Sequence, residues 1–303
     1  MTPRHPEHDR IRAGLTAFAC GDALGVPWEG RSPAEIDPAA LDGLPHRRSW
    51  PPGATSDDTE QLVLVAENLI ASGGTGDPRA FLDALAAALP AMRGAGPTTR
   101  AAVDRFVRTG AVQADGGCTN GAVMRVLPIG WITPPDAAGR RRALVAALTR
   151  TTHAAPAALA AANAVAAMGA HAVAGRAGED LVAAAVEEVD TAGVGPAGDP
   201  VRLAAAGGWE PPAGGVGLDA METAAAVVHL VRLHEDPARA MRHAVLLGGD
   251  TDTVAAITGG VLGGRRAGPR IPWADRVALP AALDALAAGL WELRRRSGAS
   301  ATP

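Results

Sequence analysis

Tyrosine is absent from this 303-residue chain, and aromatic side chains of all kinds make up only 3% of it. A site that holds a ring by stacking it on aromatic side chains therefore has few residues to draw on. Cysteine is almost missing as well. Cys20 and Cys118 are too few for a disulfide framework and could not make a zinc site without other ligands. Neither sign of charge is in strong excess, and a formal net charge of −4 gives no electrostatic reason to expect nucleic acid as a partner. Period-two alternation is missing too, so no strands are expected. Fixed-period repeats and a dividing linker are also lacking. The opening Met1-Thr2-Pro3-Arg4-His5-Pro6-Glu7-His8 is polar and has no apolar signal core. The one long apolar run, Ala154 to Ala174, is built of Ala and broken by Asn163 and His171, which fits a buried helix better than a membrane span. A cytoplasmic protein that engages neither membrane nor nucleic acid is expected.

What the chain does have is alanine and apolar residues, the latter 48% of the total. Ala has the highest helix propensity, so the composition points to helices. Helical spacing supports a first helix from Asp9 to about Asp22, ended by the Gly and Pro residues of Gly21 to Pro27. Residues 30–55 read as a long loop. Further helices are expected over 59–72, 79–93, 98–109, 122–129, 140–149, 156–173, 179–189, 218–233, 237–246, 254–262 and 281–295. Residues 190–217 read as an irregular connection, and the last eight residues as frayed. The expected fold is a single all-α domain over 1–303, with its core from about 10 to 293.

Two acidic motifs carry the chemistry. Ser56-Asp57-Asp58-Thr59 and Gly248-Gly249-Asp250-Thr251-Asp252-Thr253 each place two carboxylates and a hydroxyl directly before an apolar helical run. Ser and Asp in such places are common N-caps, which alone could explain the first motif. Two Asp residues separated by one position exceed what a cap requires. If both motifs meet, four carboxylates repel one another unless a cation neutralises them, and all-oxygen ligands suit hard divalent ions. Gly248-Gly249 would leave the backbone free for close approach to a ligand. Glu29 is either a reacting carboxylate or a solvated loop residue. Gly116-Gly117-Cys118-Thr119-Asn120-Gly121 is either an ordinary turn or an anion-binding loop whose N–H groups face a phosphate. His153, before a helix started by Pro156, is either incidental or near a substrate.

In order along the chain, these landmarks are Gly21-Asp22-Ala23-Leu24-Gly25-Val26-Pro27-Trp28-Glu29, Ser56-Asp57-Asp58-Thr59, Asn120-Gly121-Ala122-Val123-Met124-Arg125, Thr152-His153, Gly248 to Thr253 and Ile271-Pro272-Trp273. Together they resemble the ADP-ribosylglycohydrolases over nearly the whole chain. The resemblance implies a compact, orthogonal multi-helix bundle with a dinuclear metal cleft holding two divalent cations, Mg²⁺ or Mn²⁺. By that likeness Ser56, Asp57 and Asp58 would ligate from one side, and Asp250, Asp252 and Thr253 from the other. The family more often has Thr where this chain has Ser56. Glu29 would do acid–base or water-orienting work, while Gly117, Cys118, Thr119, Asn120, Gly121 and His153 would bind substrate.

The expected activity is hydrolysis of the bond between ADP-ribose and an acceptor, most plausibly an arginine-type side chain of a modified protein. An alternative is hydrolysis of a small ribosylated metabolite or nucleotide derivative, and another is an inactive ADP-ribose-binding scaffold. Family members commonly place aromatics, often Tyr, around the adenine. This chain has Cys118 at one such place and only Gly215 to Asp219 at another. Trp131 or Trp209 are candidates to substitute, since base stacking contributes about 1–3 kcal/mol.

Overall fold

A computed structural model describes residues 5–47 and 49–299. Thirteen α-helices account for most of them: α1 Pro6–Gly25, α2 Asp57–Ala71, α3 Pro78–Ala88, α4 Pro97–Thr109, α5 Leu127–Ile132, α6 Ala138–Thr149, α7 Pro156–Val173, α8 Gly178–Ala192, α9 Asp199–Ala206, α10 Ala220–Leu233, α11 Pro237–Leu246, α12 Thr251–Gly263 and α13 Leu283–Ala299. Among the described residues there is no strand, only three isolated β-bridges. The expected all-α class is what is found.

The centre of the fold is the antiparallel pair α1 and α12. All thirteen residues of α12 are buried. The two helices approach so closely because small residues face each other along the crossing. A Cβ added at Gly21 would lie 2.2 Å from the carbonyl oxygen of Ala255, and one at Gly25 would lie 2.4 Å from the backbone of Asp252. These glycines therefore lie inside α1, where sequence reading made them its stop signals. Their lack of a side chain serves packing. The helix starts at Pro6 with acidic Glu7 and Asp9 in its first turn, both favourable at a helix N-terminus.

Around this pair, α13 packs on α1, α11 on α12, and α7 packs with α5, α6, α8 and α10. Helix α7 is the apolar run noted in the sequence, and most of it is buried inside the fold. Alanine allows it close neighbours: a Cβ at Gly130 of α5 would stand 2.2 Å from the Ala166 carbonyl oxygen. Other boundaries also differ from expectation, among them the end of α3, at Ala88 rather than at 93. The 122–129 segment is a 3₁₀ turn, Asn120–Ala122, followed by the short α5. The 190–217 connection contains α9, too short and too enclosed by Gly and Pro to be legible. Helix α13 continues to Ala299, past the point where fraying was expected. The described residues of 30–55 form a loop holding two 3₁₀ turns, Pro33–Glu35 and Pro38–Gly43.

Candidate active site

Helix α1 brings the two acidic motifs together. Its last turns carry Asp22, which is fully buried. The Asp22 carboxylate accepts hydrogen bonds from the Ser56 N–H at 2.9 Å, the Thr59 N–H at 3.1 Å and the Thr59 hydroxyl at 2.5 Å. One carboxylate thus satisfies several of the unpaired donors at the start of α2. The same end of α1 touches the first turn of α12 through Gly25. The N-termini of α2 and α12, remote in sequence, are therefore both docked on the end of one helix.

At this junction Glu29, Asp250 and Asp252 each bring a carboxylate oxygen within 4.8 Å of the others. Asp57, Asp58 and Thr253 line the same cleft, together with Thr98, Thr99, Thr119, Asn120, Gly121, Met124 and Leu218. Burial pushes the carboxyl pKa of Asp57 up to about 7, with the neighbouring Asp252 and Asp22 adding to it. Asp22 is likewise pushed up to about 7, by burial and then by Asp252. Asp58 and Asp250 are raised well above the usual range, by burial first and by Asp252 next. Burial raises Asp252 too, and the nearby Arg47 guanidinium opposes that rise. Asp58 Oδ2 and Asp252 Oδ1 are buried with no hydrogen-bond partner among the described residues. Such orphaned acceptors, in an all-oxygen cluster that disfavours its own ionisation, fit hard divalent cations. Soft-metal ligands play no part here, since neither Cys nor His belongs to the cluster.

Neighbours fix these carboxylates. Gln61 donates to Asp57 Oδ2 at 2.7 Å, and Asp57 N–H donates to the Arg93 carbonyl at 2.7 Å. Gly94 has φ +93°, and a Cβ there would lie 2.8 Å from Asp57 Oδ1, so the chain can fold over that carboxylate only without a side chain. Ser56 is the N-cap of α2, its hydroxyl accepting from the Asp58 N–H at 3.2 Å. Glu29 is paired with Arg47. Asn120 donates its amide to both Thr223 and Asp250, so it orients a carboxylate of the cluster.

Gly248 and Gly249 work differently from the sequence reading. Both have positive φ, and a Cβ on Gly249 would lie 2.0 Å from the Val216 carbonyl oxygen. Their backbone bonds run to Arg31 and Val216 on either side. What approaches closely is other chain, not a ligand. Asp250 is delivered to the cleft because its N–H is held by Val216 at 2.8 Å.

The loop 117–121 wraps His153. A Cβ at Gly121 would lie 2.9 Å from the imidazole Cε1, and one at Gly117 would lie 3.2 Å from the His153 Cα. His153 itself is fully buried and bonds Thr119 Oγ1 through Nε2 at 2.8 Å, so it reaches the cleft through Thr119. Cys118 is exposed and outside the cleft lining. Neither Trp131 nor Trp209 lines the cleft. Trp131 is buried against Gly14 of α1, and Trp209 packs on His229 with ring centroids 5.2 Å apart. The aromatic that sequence reasoning missed is Trp50, beside Gly94 at the rim and flanked by the guanidinium groups of Arg47 and Arg93. Its signal was a lone aromatic next to basic residues in a Pro- and Gly-rich loop. Asp22 was also missed as a site residue, although it stood within a recognised landmark.

Residues 3–300 match the sequence profile of the ADP-ribosylglycohydrolases. An ADP-ribosyl-(dinitrogen reductase) glycohydrolase from Rhodospirillum rubrum is 33% identical over 137 residues, which is 42% of this chain. The matched stretch spans 45% of that relative's own length. Among solved structures, an ADP-ribosylglycohydrolase-related protein complex superposes with a TM-score of 0.82 at 30% identity, covering 95% of this chain and 99% of the other.

Proposed function

The chain belongs to the ADP-ribosylglycohydrolase family, and on that footing we propose that it hydrolyses the glycosidic bond between ADP-ribose and an acceptor with the help of two divalent cations, Mg²⁺ or Mn²⁺. The observation that carries this reading is the convergence of four buried aspartates, two of them with orphaned oxygens, at the N-termini of α2 and α12. Asp57 and Asp58 would hold the cations from one side, Asp250, Asp252 and Thr253 from the other, with the Ser56 hydroxyl beside them. Bound there, such cations would neutralise the carboxylates and supply Lewis acidity for ribose hydroxyls and a water.

The transition state of glycosidic cleavage carries positive charge on the sugar, and a cleft rich in buried carboxylates is complementary to it. Glu29, which shares this cluster with Asp250 and Asp252 and pairs with Arg47, would orient or deprotonate a water. Of the 117–121 loop, Thr119, Asn120 and Gly121 line the cleft, and the Asn120 N–H is taken by the Leu218 carbonyl, so the Thr119 hydroxyl and the Gly121 N–H would take the diphosphate. The acceptor proposed is an arginine-type side chain of a modified protein.

A second reading draws on the cleft lining, which holds Met124 and Leu218 but no aromatic ring. A substrate without adenine, such as a small ribosylated compound, would lose no stacking there. One experiment separates the two. Release of ADP-ribose from an ADP-ribosyl-arginine peptide is measured beside hydrolysis of ribosyl-arginine, with wild type and Asp252→Ala. Turnover of the peptide is expected, abolished by chelator and reduced at least about 100-fold by the substitution, since even indirect supports of a metal site cost 10–100-fold. Wild-type turnover that survives chelation contradicts the metal role. Faster turnover of ribosyl-arginine favours the second reading.

A further inference from the structure

A continuous buried hydrogen-bond relay runs from the acidic cluster to the cleft wall on its other side. The Arg125 guanidinium is 1% exposed and stacks on Phe81. It donates to Gln61 Oε1 at 2.5 Å and to Thr152 Oγ1 at 2.6 Å. Gln61 passes the contact on to Asp57. On the other arm, Thr152 Oγ1 lies 2.8 Å from His153 Nδ1, and His153 Nε2 lies 2.8 Å from Thr119 Oγ1.

We infer that Arg125 and Thr152 are positioning residues that hold His153 as its Nε2–H tautomer, so that the Thr119 hydroxyl presents its proton to an anionic oxygen of the substrate. The inference rests on the reading that this cleft takes ADP-ribose.

The directions follow from which groups can only donate. A guanidinium has no acceptor, so Thr152 must accept from Arg125. Thr152 is 1% exposed, and its own proton has one acceptor within reach among the described residues, the Nδ1 of His153. Were Nδ1 protonated instead, the Thr152 O–H would be a buried donor without a partner, the costlier arrangement. With Nδ1 accepting, the ring proton sits on Nε2 and is donated to Thr119 Oγ1. Thr119 makes no other side-chain hydrogen bond among the described residues, and it lines the cleft. Its hydroxyl proton is the one left over, at the point where a ligand can accept it. The imidazole stays neutral throughout: burial, aided by the Arg125 charge, lowers its pKa to about 3.

The ring nitrogens can be read directly by ¹⁵N NMR, with His153 among the eight histidines identified from the spectrum of His153→Gln. The expected signals are a protonated Nε2 and an unprotonated Nδ1, constant from pH 5 to 8. Thr152→Val should abolish that single form, and Thr152→Ser should restore it. Calorimetric titration with ADP-ribose supplies the second arm. Thr119→Val should bind about 10- to 100-fold more weakly, as loss of a hydrogen bond to a charged group implies, and Thr119→Ser within a few-fold of wild type. Mn²⁺ affinity without ADP-ribose should be unchanged in both. A protonated Nδ1, an imidazolium at neutral pH, an undisturbed tautomer in Thr152→Val or full ADP-ribose affinity in Thr119→Val each overturns the inference. If wild type binds no ADP-ribose at all, the proposed function falls, and the NMR arm still decides the tautomer.

Discussion

Asp22 shows how much one side chain can organise, since it caps α2 from α1 and crowds Asp57 and Asp252 at the same time. Its carboxyl and that of Asp57 are held near pKa 7, whereas in the unfolded chain both return to about 4. The folded protein therefore binds these protons more tightly than the unfolded one. Stability from this source is complete below pH 4 and is lost as pH rises toward 7. In chelator, the melting temperature should accordingly fall between pH 5 and pH 8. The proposed cations would bind the carboxylates in their ionised form, so a rise in melting temperature on adding Mg²⁺ or Mn²⁺ should grow over the same interval. A melting temperature that climbs with pH in chelator, or a cation effect independent of pH, would contradict the assignment.

At the scale of elements, the distance between the acidic motifs is set by how closely α1 and α12 approach. Gly21→Ala inserts a methyl group into the Ala255 carbonyl, and only backbone movement can relieve that clash. Overpacking of this kind costs roughly 1–3 kcal/mol. Because the same crossing registers Asp22 with Asp252, cation affinity should fall along with stability. Gly139→Ala in α6 is the control. A Cβ there meets nothing within 4 Å, and the exchange should stabilise by about 0.5–1 kcal/mol through helix propensity. Urea midpoints for the two variants should move in opposite directions. Unchanged stability in Gly21→Ala would mean that the crossing is looser than the structure has it.

For the whole molecule, cations in the cleft would act as a cross-link between α2 and α12, segments joined otherwise through α1. Hydrogen exchange at residues 56–62 and 250–256 should slow when Mn²⁺ is added. Helices α8 and α9 pack chiefly on α7 and α10, and a groove of about 1000 Å³ between α8 and α10 carries mixed charge and no buried acid. Exchange in α8 and α9 should not change. Slowing spread evenly over the chain would argue against a localised site.

Helices with unbroken apolar spacing, such as 156–173 and 237–246, were legible to the residue, because periodicity is a local property. So were the family landmarks and the carboxylates, since acidic pairs before apolar runs are visible in the chain itself. Gly21, Gly25 and Gly249 were misread, because a glycine that ends a helix, one that clears space for a ligand and one that admits another backbone look the same in sequence. The α9 helix escaped for want of length. The sequence alone determined the helical class and the family, through composition and the order of its motifs. Only the tertiary structure decided that Asp22 joins the two clusters, that Trp50 stands at the rim while Trp131 and Trp209 do not, and that His153 reaches the cleft through Thr119. Those facts depend on which distant segments touch, and contact between distant segments is fixed by packing, which local spacing does not encode.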